Sequence, residues 1–211
     1  MSLIRALMID VEGVLVCGRP SDGRPWASTI EDDLGLSVAA LQQEFFSPYW
    51  NEIVLGGAAP VDHLKPVLAK IAPHLPYDDF IAYWFENDAR LNIKLLEELR
   101  QQRKAGKRVY LATDQEHVRA AHLVEALGLG SHCDGIYYSA ASGSRKPDQA
   151  FFKQVAALSG LSPDQLLLVD DPPANIDAAR LCGWNAIHWQ QGSMLFARLA
   201  AIEDLCPKNT D

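Results

Sequence analysis

The sequence predicts an α/β fold: an open parallel sheet with helices on both faces, carrying a small all-helical insert. Three observations predict it. Five short, nearly continuous apolar runs are spread along the chain, at Leu3–Ile9, Arg108–Ala112, Gly135–Tyr138, Leu166–Val169 and Ala186–Trp189. Helical patterns follow them, and apolar strands alternating with helices belong to a parallel sheet buried on both faces. Finally, roughly 75 residues between the first run and Asn92 contain no convincing strand, which is too long for a single crossover helix.

The elements follow in order. The first strand runs from Leu3 and ends at Asp10 and Glu12, with Gly13 after them. "GRPSDGRPW", from Gly18 to Trp26, is rich in Gly and Pro and reads as a hinge loop. Ser37 is placed to cap a helix over "VAALQQEFF". "PYWNEIVL", "VDHLKPVLAKI" and "YDDFIAYWFE" complete the insert, with Pro66 expected to kink or start the third of its helices. Tyr49, Trp50, Tyr83, Trp84 and Phe85 lie at helical spacing there and read as core. Asn92 to Ala105 sets Leu95, Leu96 and Leu99 on one face and stops at Gly106. Gln115 to Leu127 ends at Gly128, Pro147 is expected to open a helix to Leu158, and Ala174 to Leu181 ends in Cys182-Gly183. The expected division is residues 1–16 and 92–211 for the α/β core and 17–91 for the helical insert.

Composition narrows the partners. A net charge of −8 argues against a nucleic-acid groove and against an anionic membrane surface. No apolar run approaches the roughly 18 residues of a membrane helix, and the N-terminal stretch does not read as a signal peptide. Cys17, Cys133, Cys182 and Cys206 are scattered without a CxxC, the usage of reduced thiols in a cytoplasmic protein. A monomer or homodimer is expected. The six His form no HExxH, His117 and His122 being five apart, and neither GxGxxG nor GxSxG is present.

Ligands of open parallel sheets bind beyond the carboxyl ends of the strands. The first strand delivers Asp10 and Glu12 there, the second Thr113, the third Ser139 with Lys146 further on, and the fourth Asp170 and Asp171. Singly, each is an ordinary turn or cap residue. Jointly they are the parts of a metal-assisted phosphoryl-transfer site. A carboxylate can attack phosphorus. Mg²⁺, held by one or two carboxylates, offsets the charge on the phosphoryl group. A Lys and a hydroxyl hold its oxygens. A second carboxylate protonates the leaving alcohol.

These motifs resemble those of the haloacid-dehalogenase-like (HAD) hydrolases over nearly the whole chain. The residues that carry the resemblance are Asp10-Val11-Glu12 followed by "GVL", then Thr113, then Ser139 to Asp148 with Lys146-Pro147-Asp148, then Asp170-Asp171 with Asn175. The "KPDxAFF" and "DDxxxN" patterns resemble its branch of phosphatases. The resemblance implies a Rossmann-like (HAD-like) core, with the helical insert as a cap domain. It implies an Mg²⁺-dependent hydrolase of a small phosphorylated metabolite, working through an aspartyl-phosphate. Asp10 would be nucleophile and metal ligand, the carbonyl at Glu12 a second ligand and Asp171 a third. Asp170 would orient waters or Lys146, while Thr113 and Lys146 grip the phosphoryl oxygens.

Two positions depart from the family's habit. Its phosphatases usually carry Asp where Glu12 stands, although the enolase-phosphatase branch resembles this chain in having Glu. Asp114 follows Thr113 where relatives often have Asn, and it is expected to cap the helix beginning at Gln115. Two rivals share the fold: a dehalogenase, which needs neither metal nor second carboxylate, and a catalytically weak binding protein. Arg19 and Arg24 lie in the hinge loop, where they read as solvated or as partners of a second anionic group.

Overall fold

The structure, a computed structural model, describes residues 3–204. Five parallel strands form one sheet in the order β3-β2-β1-β4-β5: β1 (Ala6–Ile9), β2 (Arg108–Thr113), β3 (Ile136–Tyr138), β4 (Leu166–Asp170) and β5 (Asn185–His188). The central strand β1 runs beside β2 and β4, with Ile9 opposite Leu111 on one side and Val169 on the other. Strand order reverses between β1 and β4, which places the expected ligand crevice at their carboxyl ends.

Period-two alternation divides β1 between two cores. Leu7 and Ile9 pack on one face with Leu95, Leu99, Leu123 and Leu199. Ala6 and Met8 pack on the other with Phe151, Phe152, Ile176 and Trp184. The first face is covered by α6 (Ile93–Lys104), α7 (His117–Glu125) and α11 (Leu195–Asp204), the second by α9 (Gln149–Ser159) and α10 (Pro173–Leu181). Asn92 caps α6 through its side chain, 3.2 Å from the Leu95 amide. Asp148 rather than Pro147 begins α9, accepting from the Ala150 amide at 2.9 Å. A short helix, α8 (Ser139–Ser142), follows β3 directly.

The insert comprises α1 (Ile30–Leu34), α2 (Val38–Leu41), α3 (Ser47–Val54), α4 (Pro60–Ile71) and α5 (Tyr77–Asn87). A π-helical stretch, Gln42–Phe46, joins α2 to α3. Ser37 caps α2 as expected. Helix α4 starts at Pro60 and carries Pro66 within it rather than beginning there. These helices enclose a separate core of Ile30, Phe45, Ile53, Leu64 and Phe80. The chain leaves and re-enters the sheet layer through two hydrogen-bonded segments. The Cys17 amide donates to Arg90 O at 2.9 Å, Arg90 N to Gly18 O at 3.0 Å, and Asn92 N to Leu15 O at 2.8 Å. Cys17, Cys133 and Cys182 are free thiols; Cys206 lies outside the described residues. Among the described residues, no helix is long and apolar enough to cross a membrane.

Candidate active site

The sheet's carboxyl edge brings the acids together. Carboxylate oxygens of Asp10, Asp170 and Asp171 all lie within 4.8 Å of one another. Lys146 projects into the group, its Nζ 2.8 Å from Asp10 Oδ1 and 2.6 Å from Asp170 Oδ2. Burial disfavours the Lys146 charge, but Asp10, Asp170 and Asp114 outweigh it and hold the ammonium above the usual lysine range. Burial also raises Asp170, which Lys146 pulls down and the Asp10 charge lifts again. Asp171 is raised likewise, first by burial and then by Asp10.

Asp170 is wholly buried, and Asn175 in the first turn of α10 donates to its Oδ2 at 3.1 Å. Its other oxygen, Oδ1, is buried with no hydrogen-bond partner. An orphaned carboxylate oxygen is costly unless a cation or donor meets it. Thr113, Lys146, Asp171 and Asn175 line a cavity of about 300 Å³ with Asp10. Ser139, by contrast, turns away and donates to Gln115 O at 3.2 Å.

Gly13 makes the approach of Asp171 possible. Its φ is +78°, and a Cβ there would stand 2.6 Å from Asp171 Oδ2. The turn that needs it is tight, with Val16 N donating to Val11 O at 2.8 Å and Gly13 N to Val16 O at 2.9 Å.

Asp114 is not a helix cap. Its Oδ1 accepts from the Lys146 main-chain amide at 3.0 Å, which fixes the loop that carries Lys146. The cap of α7 is Glu116, whose carboxylate takes the amides of Val118 and Arg119. Asp114 therefore spends its charge beside Lys146, where burial raises its carboxyl and Lys146 lowers it.

Glu12 lines both the small polar cavity and a larger one bordered by the insert. Gln115 Nε2 donates to its Oε1 at 3.1 Å, and Arg119 Nη2 stands 3.5 Å from the same oxygen. Its side chain is 41 % exposed, onto a cavity rather than open solvent. Burial, then the Asp88 carboxylate, push Glu12 up to about 8 against the pull of Arg119. A carboxyl raised in this way holds its proton to higher pH than an ordinary glutamate and is suited to donating it.

Arg119 and Asp88 have no place among the residues picked out from the sequence. Arg119 is 1 % exposed, binds Asp88 through O and Oδ2, and covers the Phe85 ring at 4.9 Å. A signal for it existed, since Arg119 sits on the same helical stripe as Ala120 and Leu123, where a charge is out of place. Asp88 follows α5 with no such pattern. Arg19 and Arg24 engage Asp22 and do not reach the acids.

The family model described as haloacid dehalogenase-like hydrolase matches residues 4–183. The chain is 28 % identical over 195 residues to the sesquiterpene phosphatase astK of Aspergillus oryzae, covering 87 % of this chain and 89 % of that protein. Its fold is similar to that of a HAD-family enzyme from Bacteroides thetaiotaomicron crystallised with magnesium and inorganic phosphate. The TM-score is 0.76 at 16 % identity, over 92 % of this chain and 98 % of the other. A predicted HAD-like family hydrolase from Porphyromonas gingivalis gives 0.75 at 19 % identity, over 96 % and 98 %.

Proposed function

The chain belongs to the haloacid dehalogenase-like hydrolases, and from that premise we propose that it is an Mg²⁺-dependent phosphatase acting on a small phosphomonoester through an aspartyl-phosphate at Asp10. One observation carries the reading: the oxygens of Asp10, Asp170 and Asp171 converge beside Lys146 and Thr113 in one small polar cavity. The phosphatase from Aspergillus oryzae and the magnesium- and phosphate-bound Bacteroides enzyme support it by analogy.

The acid group fits a hard divalent cation, being all oxygen, and Asp170 Oδ1 is buried beside it without a partner. Asp10, Asp171 and the Glu12 carbonyl are the proposed ligands, with Asp170 beside them. Bound there, Mg²⁺ would offset charge on the phosphoryl oxygens.

The chain's own residues do the rest. A carboxylate oxygen of Asp10 attacks phosphorus as the bond to the alcohol oxygen breaks. Lys146 and Thr113 hold the phosphoryl oxygens, and Asp114 and Asp170 hold Lys146 in place. Glu12 gives its proton to the departing alkoxide, then takes one from the water that hydrolyses the acyl phosphate. Residues 17–91 act as the cap over the leaving group.

A panel of phosphate esters assayed with Mg²⁺ tests the proposal. Release of inorganic phosphate should need the metal, stop on chelation, and vanish in Asp10→Asn with the fold intact by circular dichroism. Metal-independent halide release from a haloacid, with no phosphate released, would establish the dehalogenase instead.

A further inference from the structure

We infer that the alcohol moiety of the substrate is a bulky, hydrocarbon-rich group, received by an aromatic wall on the helical insert. The inference rests on the phosphatase reading above and adds the substrate class to it.

A cavity of about 940 Å³ opens between the insert and the sheet edge. It shares Glu12, Gly13 and Asp114 with the small polar cavity. An ester with its phosphoryl group beside Asp10 therefore sends its alcohol past Glu12 into the larger space.

One wall of that space is aromatic. Trp26 stacks on Trp84 with centroids 5.1 Å apart, and Phe46 meets Trp84 at 5.6 Å and Trp50 at 5.4 Å. All four rings line the cavity, and they are also part of the insert's core, as sequence spacing expected of Trp50 and Trp84: Trp84 is buried in that core, and Trp26, Phe46 and Trp50 pack against it. At the end of the π-helical stretch, Phe45 is fully buried in the insert's core, while the adjacent Phe46 packs against that core and lines the cavity. Val16, Leu91 and Ile93 line the cavity as well.

The polar side chains of the lining are largely committed elsewhere. Asn92 donates to Val14 O and accepts from the Leu95 amide. Gln115 is held by Glu12, and Ser193 accepts from the Gln190 amide. Asp88 and Arg119 hold each other. Arg119 Nη1 is buried without a partner, on the guanidinium whose other nitrogen stands 3.5 Å from Glu12, at the ester-oxygen end. Arg90, Lys94 and Gln191 also line the cavity and are solvent-exposed, with no part in the ring contacts named above. The hydroxyls of a sugar would face ring surfaces that cannot satisfy them, whereas a hydrocarbon loses nothing by leaving water.

The test is a series of n-alkyl phosphates from ethyl to decyl, with ribose 5-phosphate for comparison, all with Mg²⁺. A buried methylene is worth roughly fourfold in binding, so kcat/KM should rise on the order of two- to fourfold per methylene until the cavity fills. Trp50→Ala and Phe46→Ala should flatten that slope, and Trp50→Phe should keep most of it. Octyl phosphate binding to Asp10→Asn protein, followed by tryptophan fluorescence, should weaken with the same variants. Hydrolysis with no chain-length dependence, or a preference for ribose 5-phosphate, overturns the inference and leaves the phosphatase standing. Octyl phosphate bound in that manner but never hydrolysed by the wild type overturns the phosphatase and leaves the apolar pocket.

Discussion

The Nζ of Lys146 lies 2.8 Å from Oδ1 of Asp10, and it is also the nearest cation to Asp170, at 2.6 Å. One ammonium thus balances two acids inside the protein. Both partners of the second pair are essentially buried, at 4 % and 0 % exposure. Removing one member of a buried pair leaves the other charge without compensation, which typically costs about 3–5 kcal/mol. Lys146→Met should therefore lower stability by that order in denaturant titrations without divalent cation. It should also cut phosphate release on the order of 10²-fold or more, because a preorganised cation at the phosphoryl oxygens is gone. A variant as stable as the wild type would mean that Asp170 takes up a proton when its partner is removed and is not left as a buried charge.

Much of this site was legible in the sequence because strand ends and helix starts are local features. Asp10, Thr113 and Asp170 close apolar runs, and the parallel sheet alone decides that those ends share an edge. Lys146 could be placed on the loop, and the family resemblance already set Asp170 beside it, but nothing local showed that Asp114, just past the end of β2, holds its amide. The reading of Asp114 as a cap failed because Glu116 competes for the same helix end and is two residues nearer to it. The Arg119–Asp88 pair joins α7 to the end of the insert, across 31 residues, and no local pattern encodes such a meeting. The same holds for the four rings of the cavity wall. Helical spacing shows that Trp50 and Trp84 face inward, but not that a void lies there.

Gly13 supports the metal reading through packing. At φ +78° an L side chain is strained, and its Cβ would collide with Asp171 Oδ2 at 2.6 Å. Gly13→Ala should push Asp171 off its position and raise the Mg²⁺ concentration needed for half-maximal activity roughly tenfold or more, as losses of supporting groups around metals do. Calorimetric titration with Mg²⁺ reads the same change without turnover. An unchanged Mg²⁺ requirement would remove Asp171 from the ligand set.

Metal binding should also show in thermal stability, with a definite pH dependence. Burial raises Asp170, to about 7, and raises Asp171 above the ordinary carboxylate range. A carboxyl whose folded value is raised binds its proton longer in the folded state than in the unfolded chain. Its ionisation therefore costs stability as pH rises from the ordinary carboxylate range through the raised one. Metal-free protein should lose Tm over that window, between about pH 4 and about pH 7. Mg²⁺ should restore it, with a larger gain at about pH 8 than at about pH 5, where protons compete for the ligands. An equal Tm gain at both pH values would place the ion away from these carboxyls.

The proton donor is the position where this chain leaves its family's habit. Glu12 is raised by burial and by Asp88, and it is held by Gln115 at 3.1 Å and by Arg119 at 3.5 Å. These contacts point the carboxyl toward the junction of the two cavities, where the ester oxygen must lie if phosphorus is beside Asp10. Protonation matters in proportion to how poorly the alcohol leaves. An alkoxide needs the proton, and general acid assistance is typically worth 10²–10⁴-fold. A nitrophenolate leaves well without it. Glu12→Gln keeps the side chain's size and lacks the proton, so it should lose on the order of 10²-fold or more on an alkyl phosphate. The burst that reports formation of the aspartyl-phosphate from an aryl phosphate should fall much less. Later hydrolysis of that intermediate should slow for both esters, because the same carboxylate must then accept a proton from water. Glu12→Asp restores the commoner residue and should remain active. The decisive quantity is the ratio of the two losses in Glu12→Gln. Equal losses in the first step for both ester classes would mean that Glu12 only orders the turn and the Arg119 pair, and that another group supplies the proton.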